Sequence, residues 1–190
     1  MLLKLKAPAK VNLFLRVLGK RGDGYHEIAT VMQAIDLCDR LTFSLAEADT
    51  LTCTDPAVPT NSSNLILRAL HLFRQKSGKQ LSLQIHLEKK IPMQAGLGGG
   101  SSDAAATLFA CNALTGNTIP TDTLQTWSQE IGSDIPFFYS SGTAYCTGRG
   151  EVVKPLSPLS LPPIAIHKPP FGLSTPAIFS AYTASDDRCP

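Results

Sequence analysis

The stretch Gly96-Leu97-Gly98-Gly99-Gly100-Ser101-Ser102 carries the residue types that point most directly to chemistry. Without Cβ atoms a backbone can come close to an anion and turn its amides toward it, and two serines add hydroxyl donors. The stretch lies between an alternating apolar run over 81–87 and the alanine-rich DAAATLFACNAL. It therefore reads as a loop that opens a helix, whose positive dipole end adds to the attraction for an anion. Lys89 and Lys90, just ahead of it, offer charge for further phosphate. A nucleotide triphosphate is the expected occupant. The pattern is not G-x-x-x-x-G-K-[ST], since no lysine follows the glycines. Nor is it a dinucleotide fingerprint, since a proline-containing turn separates it from the preceding strand.

Other polar residues are ambiguous on their own. Asp134 in GSDIPFF has the position of a helix cap ahead of a proline. Lys10 in PAKVNL reads as a strand lysine, Tyr25 and His26 as exposed loop residues, and Phe179 as one face of a short helix. His71, His86 and His167 are isolated and show no metal-ligand spacing.

The elements that must position these groups are legible from periodicity. Residues 3–17 alternate around Pro8, which predicts strand, kink and strand. Two further strands are expected over 31–36 and 41–45, joined at the polar pair Asp39 and Arg40. Asn64 is placed to cap a helix running to Lys76, with Gly78 as its stop. The strand over 81–87 shows period two, and the helix after the glycines should end near Gly116. A helix over 121–131, a turn at GSDIPFF and a strand over 144–146 follow. The proline-rich remainder holds a possible strand over 164–167 and a short helix starting near Thr175 and Pro176.

Composition excludes several classes. A hydrophobic fraction of 43% and a charged fraction of 17% are those of a folding chain. A net charge of +2 supplies no field for nucleic acid or a membrane surface, so any anion must be held locally and a small-molecule partner is expected. The 5 cysteines are scattered without a C-x-x-C pair, which argues against a zinc site or a disulfide framework and favours a cytoplasmic setting. The N-terminus lacks a signal-type apolar run, and no run has transmembrane length.

PMQAGLGGGSSDAA resembles the phosphate loop of the galactokinase, homoserine kinase and mevalonate kinase (GHMP) superfamily. PAKVNLFLRVLGKRGDGYHEI and GSDIPFF narrow the resemblance to its 4-diphosphocytidyl-2-C-methyl-D-erythritol kinases. The motifs run in the family's order from about Pro8 to about Phe179. The resemblance implies an α+β fold, a mixed β-sheet covered by helices, over residues 1–160, with a second domain beginning in 161–190. It implies transfer of the ATP γ-phosphate to the 2-hydroxyl of the cytidine-linked polyol, with Mg2+ carried in by the nucleotide. Lys10 and Asp134 match the catalytic pair. Pro92, Met93, Gln94, Ala95, Gly96, Leu97, Gly98, Gly99, Gly100, Ser101 and Ser102, with Lys89, Asn64 and Leu65, match the ATP site. Asn12, Tyr25, His26 and Phe179 match the substrate site, with Tyr25 and Phe179 stacking on the base, where aromatic stacking supplies about 1–3 kcal/mol per base.

The pattern departs from the superfamily at its end, where a second glycine-rich segment is expected and none occurs. Two alternatives therefore stand beside the kinase: a non-catalytic nucleotide- or substrate-binding fragment, and another kinase of the superfamily. Oligomeric state is not readable from the sequence.

Overall fold

Alternation over the first 45 residues builds a long antiparallel ribbon, β1 (Leu2–Lys20) and β2 (His26–Leu45). The structure, a computed structural model, describes residues 2–169, 171, 172, 178, 181 and 182. The kink expected at Pro8 is a register shift between Pro8 and Lys10 within one continuous strand; proline removes a ladder donor there without ending the pairing.

β2 is one strand where two were expected. Asp39 is no turn residue. It is fully buried on the same face as Leu41 and Phe43, and its Oδ1 accepts the N–H groups of Lys90 and Ile91 at 2.6 and 2.8 Å. A carboxylate so supplied with donors can stay in a strand interior. β2 pairs with β1 along its length, with β5 (Thr143–Thr147) over residues 30–33 and with β4 (Leu83–Glu88) over 40–45. β3 (Thr50–Cys53) runs parallel to β4, and β6 (Val152–Pro155) runs antiparallel to β5. The sheet is therefore mixed, as expected. β3 and β6 were not anticipated, because four-residue strands owe their conformation to the neighbour they pair with.

Helices cover the sheet. α1 (Leu65–Ser77) is capped by Asn64, whose Oδ1 accepts the Ile66 N–H at 2.9 Å, and it stops at Gly78 in the left-handed region. Its Ile66, Leu70 and Phe73 join Leu41, Phe43, Ile85 and Leu87 of the sheet in the main core. α2 (Gly99–Leu114) inserts small residues, Ala104, Ala105 and Ala110, beside Leu108 in the same core. It begins within the glycine stretch rather than after it. α3 (Thr121–Ser128) is shorter than expected, and a 3-10 turn over Ile135–Tyr139 leads into β5.

The strand expected over 164–167 does not form; those residues are exposed and belong to neither helix nor strand. β6 already closes that side of the sheet, and prolines on either side remove ladder donors. The short helix expected near Thr175 lies outside the described residues. Among the described residues no helix is long and apolar enough to cross a membrane.

Candidate active site

The start of α2 is left open. Its cap is Gly98, at φ 69°, and no side chain accepts a hydrogen bond there; no acidic residue follows in the first turn. The amides of Gly99, Gly100 and Ser101 thus precede the first intrahelical bond, Ser102 N–H to Gly98 O at 2.9 Å, and have no partner further back in the helix. A Cβ on Gly98 would lie 2.9 Å from Lys10 Cγ and 3.1 Å from Phe138 Cζ, so glycine is required both for space and for backbone conformation. The loop is stitched to β1 through the Lys10 N–H, which donates to Leu97 O at 2.8 Å.

Lys10 is buried, and its Nζ lies 3.3 Å from Asp134 Oδ2 and donates to Asn12 Oδ1 at 2.8 Å. Asn12 is oriented in turn, donating to Thr30 Oγ1 at 2.7 Å. Asp134 precedes the 3-10 turn, yet its side chain makes no cap hydrogen bond. The helix-cap reading is not realised, and the carboxylate instead faces Lys10 with a third of its side chain exposed. Ile135 and Phe137, both buried, hold its backbone from behind.

Beneath the loop lies an acid–lysine–acid row. Lys89 Nζ donates to Asp39 Oδ2 and to Asp103 Oδ2, the latter at 3.0 Å, and all three side chains are buried. Two carboxylates and one ammonium leave one negative charge in excess. Burial therefore pushes Asp103 up to about 7 against the pull of Lys89. Burial works against the Lys89 ammonium, but the charges of Asp103 and Asp39 outweigh it and hold its pKa raised. Lys89 borders the site, but its charge is shared inward, not kept for phosphate alone. Ser102 departs from expectation: at the fourth position of α2 it turns into the core, 1% exposed, with no hydrogen-bond partner for its Oγ among the described residues. Asp103 Oδ1 is likewise unpartnered.

On the opposite wall the Tyr25 ring is more than half exposed, and His26 meets Tyr182 edge-on at 5.8 Å between centroids. Glu27 pins this loop, accepting from Gly148 N–H at 2.9 Å and from Arg21 Nη1 at 2.6 Å. Arg149 places its guanidinium 4.7 Å from the Tyr25 ring centroid.

One cavity of about 1170 Å³ brings together Lys10, Asn12, Tyr25, His26, Asn64, Leu65, Lys89, residues 92–101 and Asp134. Ser102 is not on its wall, and Phe179 lies outside the described residues. Arg149, Asp103 and Tyr182, also on the wall, were missed by the sequence reading, as was Asp39 beneath it. The parity of Asp39 with Leu41 and Phe43, and the glycines on either side of Arg149, were the available signals. Among the described residues no group of three or more His, Cys, Asp or Glu is arranged to hold a metal ion.

Residues 64–142 match the family described as the GHMP kinases N terminal domain. The chain is 58% identical over 177 residues to the 4-diphosphocytidyl-2-C-methyl-D-erythritol kinase of Protochlamydia amoebophila, covering 93% of this chain and 62% of that protein. It is 49% identical to the chloroplastic enzyme of the same name from Arabidopsis thaliana, covering 93% of this chain and 48% of that one. A crystal structure of 4-(cytidine 5'-diphospho)-2C-methyl-D-erythritol kinase superposes with a TM-score of 0.76 at 38% identity, over 94% of this chain and 64% of that one. The chain thus spans less than two thirds of the length of each of these three relatives. An α+β domain built around an uncapped glycine-rich helix start, matched over residues 64–142 by that family pattern and over most of its length by these relatives, has the fold of the GHMP kinase N-terminal domain.

Proposed function

We propose that the chain serves ATP-dependent phosphorylation of the 2-hydroxyl of 4-diphosphocytidyl-2-C-methyl-D-erythritol. The observation that carries this reading is the convergence of three groups on one cavity: the open amides of α2, the Lys10–Asp134 pair and the Tyr25–His26 wall. Nucleotide phosphate supplies the missing cap of α2. Asp134 orients the attacking hydroxyl and accepts its proton. Lys10, fixed by Asn12 and by the loop carbonyl of Leu97, stabilises charge on the phosphoryl group in flight. A loose phosphoryl transition state asks little early deprotonation of the nucleophile, so positioning matters more than base strength.

Asp39 is taken up by Lys89 and the amides of residues 90 and 91, Asp103 keeps one oxygen without a partner, and the described residues group no three His, Cys, Asp or Glu side chains as a cage for Mg2+. An ion accompanying ATP would be held by the nucleotide's own phosphates, and no step above is routed through it. Tyr25 and His26 hold the cytosine, with Phe179 as the opposing face. Residues from about 161 onward begin a second domain. A cytoplasmic setting agrees with Cys38, Cys53, Cys111 and Cys146 being free among the described residues.

The test is a coupled ADP-release assay with Mg-ATP and the cytidine substrate. Substrate-dependent turnover is the expected result. Binding of both ligands without turnover would favour the fragment reading. Failure to bind the cytidine compound would move the chain to another specificity within the superfamily.

A further inference from the structure

Arg149 sits in a turn whose shape is tightly determined. Gly148 and Gly150 flank it at φ 71° and 116°, conformations that side-chain-bearing residues rarely adopt. The Gly148 N–H donates to Glu27 Oε1, and its carbonyl accepts the Ile28 N–H at 2.8 Å, which fastens the turn to the start of β2. The Arg149 N–H donates to Glu151 Oε2 at 2.6 Å. On one side, the Arg149 guanidinium covers a face of the Tyr25 ring. On the other, Gly150 lies so close to Asp134 that a Cβ there would be 3.3 Å from Oδ1. The turn that carries Arg149 thus reaches from the proposed base-stacking ring to the proposed catalytic carboxylate, and Arg149 and Asp134 line the same cavity.

The other cations on that wall are engaged or peripheral. Lys10 serves Asp134 and Asn12, Lys89 serves Asp39 and Asp103, and Lys20 is exposed at the end of β1. Among the described residues Arg149 has one ion-pair contact, Nε to Glu151 Oε1 at 3.7 Å, beyond hydrogen-bond reach, and a weaker attraction to Asp23. Its two terminal nitrogens make no hydrogen bond among the described residues. A planar fork of donors, steadied on an aromatic face and open on a cavity, suits bidentate recognition of phosphate.

We propose that Arg149 binds the diphosphate bridge of the substrate and so sets a preference for a cytidine diphosphate over cytidine. This rests on the cytidine-kinase reading above, in which the diphosphate joins the base half of the substrate to the polyol half. A bridge running from a base at Tyr25 to a hydroxyl at Asp134 passes the turn that carries Arg149. The guanidinium occupies one face of Tyr25 and leaves the other for the base.

The test is calorimetric titration of the full chain with cytidine and with CDP, for the native protein and for Arg149→Gln and Arg149→Lys. The native protein is expected to prefer CDP. Arg149→Gln should weaken CDP roughly ten- to hundredfold and leave cytidine within a few-fold, which also shows that the variant is folded. Arg149→Lys, a point charge without the fork, should fall between them. The inference is overturned if Arg149→Gln weakens both ligands equally, since Arg149 would then only support Tyr25, or if the CDP preference is unchanged. A native protein that binds neither ligand would overturn the cytidine reading and this inference with it, an outcome distinct from the other two.

Discussion

At the start of α1 a side chain closes the helix: Asn64 Oδ1 accepts the Ile66 N–H at 2.9 Å. At the start of α2 a glycine in the left-handed region stands in the same position and nothing closes it. A good cap contributes about 1 kcal/mol, so α2 forgoes stability that α1 secures. The two ends differ beneath as well. The buried residues of α1 are all apolar, whereas α2 sets Asp103 and Ser102 into the interior next to Lys89 and Asp39. The difference separates a helix end built to be complete in itself from one left open for the phosphate proposed above.

The contrast can be broken at its chemical end first. Asp134→Asn should lower turnover by roughly two to four orders of magnitude while ATP affinity stays within a few-fold, since in the proposed mechanism the carboxylate serves the transition state and not the helix start. Equal loss of ATP affinity in titrations would remove Asp134 from that role.

A second effect, of the order of a few kcal/mol, belongs to the acid under α2. Asp103 is raised from 3.8 to about 7, so between those values the folded chain keeps a proton that the unfolded chain has released. Stability from this group is therefore lost as pH rises from about 4 to about 7. Asp103→Asn cannot ionise, and its stability relative to the native chain should grow between pH 5 and pH 7.5 in urea denaturation. A constant difference across that range would show that Asp103 does not titrate there.

Gly98→Ala asks whether the open end must be glycine. The added methyl meets Lys10 Cγ at 2.9 Å in a left-handed backbone, and ATP affinity should fall about tenfold or more, a cost of about 1–2 kcal/mol. Unchanged affinity by calorimetry would erase the distinction drawn between the two helix starts. The smallest effect is at α1, where Asn64→Ala should cost about 1 kcal/mol of stability in the same denaturation measurement.

The closed helix was also the more legible one. Asn64, the apolar stripe and Gly78 lie within fifteen residues and determine α1 locally, and the alternation over 81–87 determined β4 in the same way. The glycine loop was recognisable by type, but the exact start of α2 was not, because Gly98 and Gly99 take their conformation from the close approach of Lys10, Ile91 and Lys89. Asp39 was misread as part of a turn since the groups that satisfy it, residues 89–91, come from fifty positions later. Lys10 and Asp134 were ambiguous alone, and only their meeting at 3.3 Å removes the surface-lysine and helix-cap readings. Arg149 was missed for a similar reason: its significance lies in standing over Tyr25, which no local pattern encodes.

His26 and Asp39, one on the cavity wall beside Tyr25 and the other under the glycine loop, are carried by a single strand. Their separation can therefore change only where a bulge absorbs the change, as the register shifts of this ribbon already do. One inserted codon not so absorbed would turn the following side chains to the opposite face of the sheet, expelling Leu41 and Phe43 from the core and parting Asp39 from Lys89. Related genes are expected to gather their insertions and deletions in the connections at 46–49 and 54–63 and to keep the reading distance across 26–45 unchanged.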